Sequence, residues 1–197
     1  MKKYPKNGYT LVELLAVIFV LVAVGTIIAS ILTSVLRDSN KSATTENVRA
    51  NGDSAIAQMS RMITYAQKLE GISCDGTQFY TDCTSQPTPD TSDCALSQSG
   101  LTQYNYLQIK SFDGGITTFA CANSQIASQS STGTLDYLVD PTMDATCYFN
   151  CSQESAAAPA KIDIFLDLKA TISANFSESQ AEIPFETSVV IRNSGNR

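Results

Sequence analysis

Glu13 is the side chain with the most chemistry to account for in this sequence. It stands at the head of an apolar run over residues 14–32, directly after Gly8-Tyr9-Thr10-Leu11-Val12. Roughly nineteen residues at 1.5 Å each are enough to cross a bilayer core of about 30 Å. An ionised side chain at that depth costs at least about 2.5–3.5 kcal/mol, so Glu13 should face a partner or mark a function. The second reactive set is six cysteines, Cys74, Cys83, Cys94, Cys121, Cys147 and Cys151, all beyond the apolar run. On the far side of a membrane an even count favours disulfides over free thiols, and the sequence cannot choose among the pairings. Cys147 with Cys151 is one plausible short loop. Zinc is the competing use, but histidine is absent and no paired C-x₂-C knuckles occur.

The search for catalysis is short. Without histidine there is no Ser-His-Asp or Cys-His arrangement and no H-E-x-x-H site. No Walker loop or G-x-G-x-x-G is present either. Asp163 and Asp167 alternate along one strand face, the ordinary pattern of a solvated side rather than a glycosidase pair. The expectation is a chain that is not an enzyme and takes no cofactor. Asn40-Lys-Ser, Asn150-Cys-Ser and Asn175-Phe-Ser match the glycosylation triplet, a pattern that arises often by chance.

Lys2, Lys3 and Lys6 precede the apolar run, and no A-x-A-type cleavage site follows them. Positive charge there holds the N-terminus in the cytoplasm, so the remainder should emerge on the other side. A secretory signal peptide would have a shorter core and would not open with a glutamate. The string K-N-G-Y-T-L-V-E-L-L, residues 6–15, resembles the prepilin leader of bacterial type IV pilins and type II secretion pseudopilins. That resemblance implies cutting between Gly8 and Tyr9 by a membrane-embedded prepilin peptidase, and N-methylation of Tyr9. Glu13 then becomes the fifth residue of the mature chain. Tyr9 stands where the family usually has phenylalanine. The resemblance also implies the partners: other pilin or pseudopilin subunits, the peptidase, an inner-membrane assembly platform, and membrane lipid before assembly. The location implied is a single pass in the inner membrane with an exported head, then an extracellular or periplasmic filament. The motif covers only the first thirty or so residues and speaks to the superfamily, not the branch.

Elementary electrostatics agrees with that resemblance. Cutting after Gly8 exposes an α-amine four residues before Glu13, about one helical turn away. In a stack of stepped subunits the amine of one chain can meet Glu13 of its neighbour. That pairing offsets the desolvation of both charges and sets the register.

The elements that must position these groups follow from pattern. At 197 residues with 43% hydrophobic content, the chain can form one globular domain plus a long helix. Removing residues 1–8 takes three of the thirteen basic side chains and leaves ten against nineteen acidic ones. Such an acidic balance argues against a generic grip on nucleic acid. The membrane segment carries Gly25, Thr26 and Ser30, and no proline falls between Pro5 and Pro87. Gly25 is therefore its weakest helical point.

From Arg37 the helix should continue in amphipathic form. Val48, Ile56, Met59, Ile63, Ala66 and Leu69 recur at helical spacing, with Ala55 and Met62 between them, as far as a cap at Gly71. Asn51-Gly52 interrupts that pattern. Residues 71–100 read as an ordered, cysteine-bearing loop. Strands are expected over 104–109, 116–120 and 135–139, the first two joined by a turn at Asp113-Gly114-Gly115. A second irregular stretch covers 140–159. Ile162, Ile164, Leu166 and Leu168 then alternate with Asp163, Phe165, Asp167 and Lys169, and a last strand covers 185–191. The fold class is α+β. A long N-terminal helix, membrane-spanning in its first half and amphipathic in its second, packs on a C-terminal antiparallel β-sheet head with disulfide-stapled loops. The expected divisions are a leader over 1–8, the apolar assembly helix over 9–36, its amphipathic continuation over 37–70 and the exported head over 71–197.

Asp136, Asp140 and Asp144 gather near a turn and are calcium candidates, as in some pseudopilin heads by resemblance, though their spacing matches no EF-hand loop. The function expected is a structural subunit of a type IV pilus or type II secretion pseudopilus. A minor subunit is favoured, because the cysteine-stapled loops exceed what helical packing requires. The alternative is a single-pass membrane-anchored envelope protein with an exported ligand-binding or sensor domain.

Overall fold

The computed structural model describes residues 10–84, 94, 102–131, 133–155, 158–170 and 181–191. The chain divides into two compact units, Met1–Ser42 and Ala43–Arg197, and helix α1 (Leu11–Thr64) runs through both. In the first unit every described residue, 10–42, is exposed. The polar side chains of this stretch turn back on their own helix. Thr26 donates to the Ala23 carbonyl at 2.8 Å, Ser30 to Ile27 at 2.8 Å and Thr33 to Ala29 at 2.6 Å. Those three hydroxyls therefore need no partner outside the helix, as suits a helix in lipid.

The second unit begins with the rest of α1. Val48, Gly52, Ala55, Met59 and Ile63 are its buried residues, at spacings of three and four that form one apolar stripe. Asn51-Gly52 is the point at which the helix docks, not a break in it. The Phe185 ring lies so close that a Cβ on Gly52 would collide with it. Beside it the Asn51 side-chain oxygen accepts the Asp140 backbone N–H at 3.3 Å. Glycine costs about 1 kcal/mol of helix propensity here. A ring seated against the helix backbone offsets that loss.

The helix ends at Thr64, short of the expected cap at Gly71. The Tyr65 N–H reaches the Arg61 carbonyl at 3.1 Å and the Ala66 N–H tightens onto Ile63 at 3.1 Å. Strand β1 (Lys68–Ser73) follows at once, so residues read as helix and then loop form a strand. Gly71 serves that strand instead. The register slips between Leu69 and Gly71, and the Phe79 side chain lies where a Cβ on Gly71 would come to 2.8 Å. Ala66 and Leu69 still reach the core, from a turn and a strand rather than from a helix face.

Strands β1, β2 (Tyr106–Lys110), β3 (Ile116–Ala122), β4 (Gln125–Ser130) and β5 (Leu135–Tyr137) form an antiparallel sheet in sequence order. The β2–β3 hairpin closes at Asp113-Gly114-Gly115 as the sequence predicts. The Ser111 N–H bonds to the Gly115 carbonyl at 2.9 Å, and Gly114 takes a φ of 85°. Between β3 and β4 only Asn123 and Ser124 intervene, with φ of 55° and 56°. Two positive φ values in a two-residue connection mark a type I′ turn.

A second antiparallel sheet contains β6 (Met143–Ser152), β7 (Lys161–Ala170) and β8 (Glu182–Val190) in that order. β7 shows the expected alternation, with Ile162, Ile164, Leu166 and Leu168 buried. β6 occupies much of the stretch read as irregular. Met143, Ala145, Cys147, Phe149 and Cys151 all face the core there, so its apolar period becomes visible once cysteine counts as apolar.

Tyr104 and Phe149 exchange backbone hydrogen bonds at 2.9 and 2.8 Å, and the Ala145 N–H reaches Ser124 O at 2.9 Å, which joins β6 to the first sheet. The cysteines pair as Cys74–Cys94, Cys83–Cys151 and Cys121–Cys147, with Cα–Cα distances of 5.2, 5.4 and 5.5 Å. The short Cys147–Cys151 loop is therefore wrong. Four residues along one strand are about 13 Å apart, and a disulfide spans less than about 7 Å. Each bond contributes typically about 2–4 kcal/mol.

Candidate functional site

The sequence places the site at the start of α1. Gly8 and Tyr9, the expected processing pair, lie outside the described residues. Thr10 opens the helix as its N-cap. Its hydroxyl and carbonyl accept the Glu13 backbone N–H at 3.3 and 3.1 Å, and the carbonyl also accepts the Leu14 N–H at 3.2 Å. A Thr followed three residues later by Glu has the spacing of a capping box, and a carboxylate in the first turn opposes the helix dipole favourably. The backbone thus gives Glu13 a local reason to stand where it does. Its surroundings give a second. Leu11, Val12, Leu14 and Leu15 around it are all exposed, and no charged residue occurs between Glu13 and Arg37. A single carboxylate on the rim of an uncovered apolar cylinder can do one thing well, which is to accept an ion pair from an amine. The helix that carries it is long and apolar enough to cross a membrane.

The calcium candidates do not converge. Asp136 on β5 pairs with Ser128 in the first sheet, whereas Asp144 on β6 pairs with Lys169 in the second. Asp140 lies in the turn between them, where Thr142 donates its N–H at 2.8 Å and its hydroxyl at 2.6 Å to the carboxylate. Those bonds hold the Asp140 carboxyl below the usual carboxylate range. Among the described residues no three His, Cys, Asp or Glu side chains stand together as a metal would need. Residues eight apart that look adjacent on paper are divided by the change of sheet at Pro141.

Asp163 and Asp167 sit on the outer face of β7. Asp163 accepts the Ser188 hydroxyl and pairs with Lys161 at 2.9 Å. Burial, and then the neighbouring Glu182 carboxylate, push the Asp167 carboxyl up. Asn150 is buried within β6, which closes its glycosylation triplet to any enzyme; Asn40 is exposed on α1, and Asn175 lies outside the described residues.

One feature of the head had no sequence signal. The outer face of the first sheet carries a groove of about 380 Å³, lined from β2 to β5 and by Gly76 and Phe79. Its floor on β3 and β4 is made of small and neutral polar residues, a pattern that reads as plain solvent-facing strand, and Phe79, Tyr106, Leu135 and Tyr137 stand around it. β4 supplies Gln125, Ala127 and Gln129, and it carries one large apolar residue, Ile126. Nothing in such a stretch announces a strand, still less a site. The chain matches no protein-family model, no curated protein and no solved structure.

Proposed function

We propose that this chain is a structural, non-enzymatic subunit of a type IV pilus or type II secretion pseudopilus, in keeping with its prepilin-like leader. It would be cut after Gly8 and assembled through α1. The observation that carries this reading is the first unit itself: a helix exposed on all sides over residues 10–42, with one carboxylate at its head. Apolar surface in water costs about 25 cal/mol per Å², so such a helix needs lipid first and other helices afterwards. In the assembled form the α-amine freed at Tyr9 of one copy neutralises Glu13 of the next and fixes the step between them. Lys2, Lys3 and Lys6 hold the leader in the cytoplasm, which puts the disulfide-bonded head on the oxidising side of the inner membrane. The stapled head favours a minor subunit.

Treatment of the full chain with a prepilin peptidase, followed by mass spectrometry, tests the proposal. Loss of residues 1–8 and a methylated Tyr9 are expected. An uncut chain retained in the membrane would support the single-pass envelope protein instead. Glu13→Ala should still insert and still be cut, but should fail to enter filaments. Normal incorporation of that variant would remove the amine–carboxylate pairing.

A further inference from the structure

We infer that the groove on the outer face of the first sheet is a binding site for an uncharged sugar unit. The proposal concerns the head alone and holds whether or not the chain enters a filament.

The strand register builds the site. Tyr106, Ala120, Ala127 and Tyr137 stand side by side across β2 to β5, so two alanines form a floor between two tyrosines. With strands about 4.8 Å apart, the tyrosines are about 14 Å from each other at their Cα atoms. The next row on the same face is Gln108, Thr118, Gln129 and Leu135. The Gln108 amide donates to the Thr118 hydroxyl at 3.1 Å, which fixes its orientation. Tyr106 is also held. The backbone at Gly76, with φ of 78°, approaches so near that a Cβ there would meet the ring at 3.0 Å. Hydrogen bonds from Gly76 N–H to Ser73 Oγ at 3.0 Å and from Thr77 N–H to Asp75 Oδ1 at 2.9 Å hold that turn.

The chemistry of the lining selects the ligand. Among the described residues that line the groove there is no Asp, Glu, Lys or Arg. A phosphate, a nucleotide or an acidic peptide would lose its hydration and gain no counter-charge. A wholly apolar ligand would cover the Gln129 amide and the Gln108 carbonyl oxygen and strip them of water, at about 1–3 kcal/mol each. Gln125 is held as well: its Nε2 donates to the Met143 carbonyl at 2.7 Å, which fixes the amide orientation. A pyranose satisfies both sides of this surface. Its C–H face covers the exposed Tyr137 ring, and its hydroxyls donate to and accept from the amides without bringing charge. A volume of about 380 Å³ lies within the usual range of small-molecule sites, about 300–1,000 Å³.

The test uses the full chain in a detergent without a sugar headgroup, with saturation-transfer NMR against methyl galactoside, methyl glucoside, N-acetylglucosamine and sialic acid. Saturation of ring C–H protons is expected for at least one neutral sugar and not for sialic acid. Tyr137 is 57% exposed on the three-residue strand β5, so Tyr137→Ala leaves the fold intact. It should weaken binding about tenfold, the equivalent of roughly 1.4 kcal/mol. Gln129→Ala, also at an exposed position, should weaken it about fivefold. Absence of transfer to all three neutral sugars would overturn the assignment. So would binding that neither substitution changes, or a preference for sialic acid.

Discussion

The two halves of α1 are one unbroken run of helical backbone answering to two different solvents. Over residues 10–42 every position is exposed, and the hydroxyls of Thr26, Ser30 and Thr33 are bonded back to the helix. Over the later turns Val48, Gly52, Ala55, Met59 and Ile63 disappear into a core shared with both sheets. The first half specifies an environment and no particular neighbour within the chain. The second half specifies individual contacts, down to a glycine set under one aromatic ring. An apolar helix face therefore says little about packing until its period is known. A stripe names a partner surface, whereas a full circle names a medium.

The sharpest way to break that contrast is to make the same cut in each half. Ile63→Ala should destabilise the head by about 2–5 kcal/mol, because it opens a cavity in a fully buried position. Ile28→Ala, at a position 59% exposed, should leave the thermal unfolding of the head unchanged. Equal losses from the two would show that the halves are not independent.

The docking point offers a finer test. Gly52→Ala should cost about 1–3 kcal/mol by overpacking against Phe185, and Phe185→Leu in the same chain should recover part of it. No recovery would mean that the glycine is needed for something other than the ring.

The smallest effect concerns the sheet beneath which the second half lies. The folded-state pKa of Asp167 is raised, chiefly by burial and next by Glu182, so its ionised form works against folding above that pKa. The penalty is present above the folded pKa and fades as pH falls through it towards the ordinary carboxylate value. Asp167→Asn should raise the melting temperature by roughly 1 °C at pH 7 and by less at pH 4. A gain that grows on acidification would reverse the assigned sign.

How much of this was legible in the sequence depended on whether a residue's role was local. The apolar run, the β2–β3 turn at Gly114 and the alternation of β7 were all readable, since each is set by neighbours within a few positions. The end of the helix is not legible, because Ala66 and Leu69 are buried either way and burial alone does not tell a helix stripe from a strand face. β6 is hidden because its inward positions include Cys147 and Cys151, which read as loop staples rather than core. The pairing of the cysteines, the scattering of Asp136, Asp140 and Asp144, and the groove between Tyr106 and Tyr137 all depend on sheet register. Register follows from long-range pairing that no local window contains.

The bond between Cys83 and Cys151 joins positions 68 apart in sequence, and β2 to β5 lie inside the loop it closes. Tension applied through α1 and β1 would pass at Cys83 straight across to β6 and bypass the strands in between. About 230 Å of contour length, at roughly 3.4 Å per residue, is withheld from extension while that bond lasts. Force spectroscopy should register it as a shortened unfolding step that lengthens on reduction.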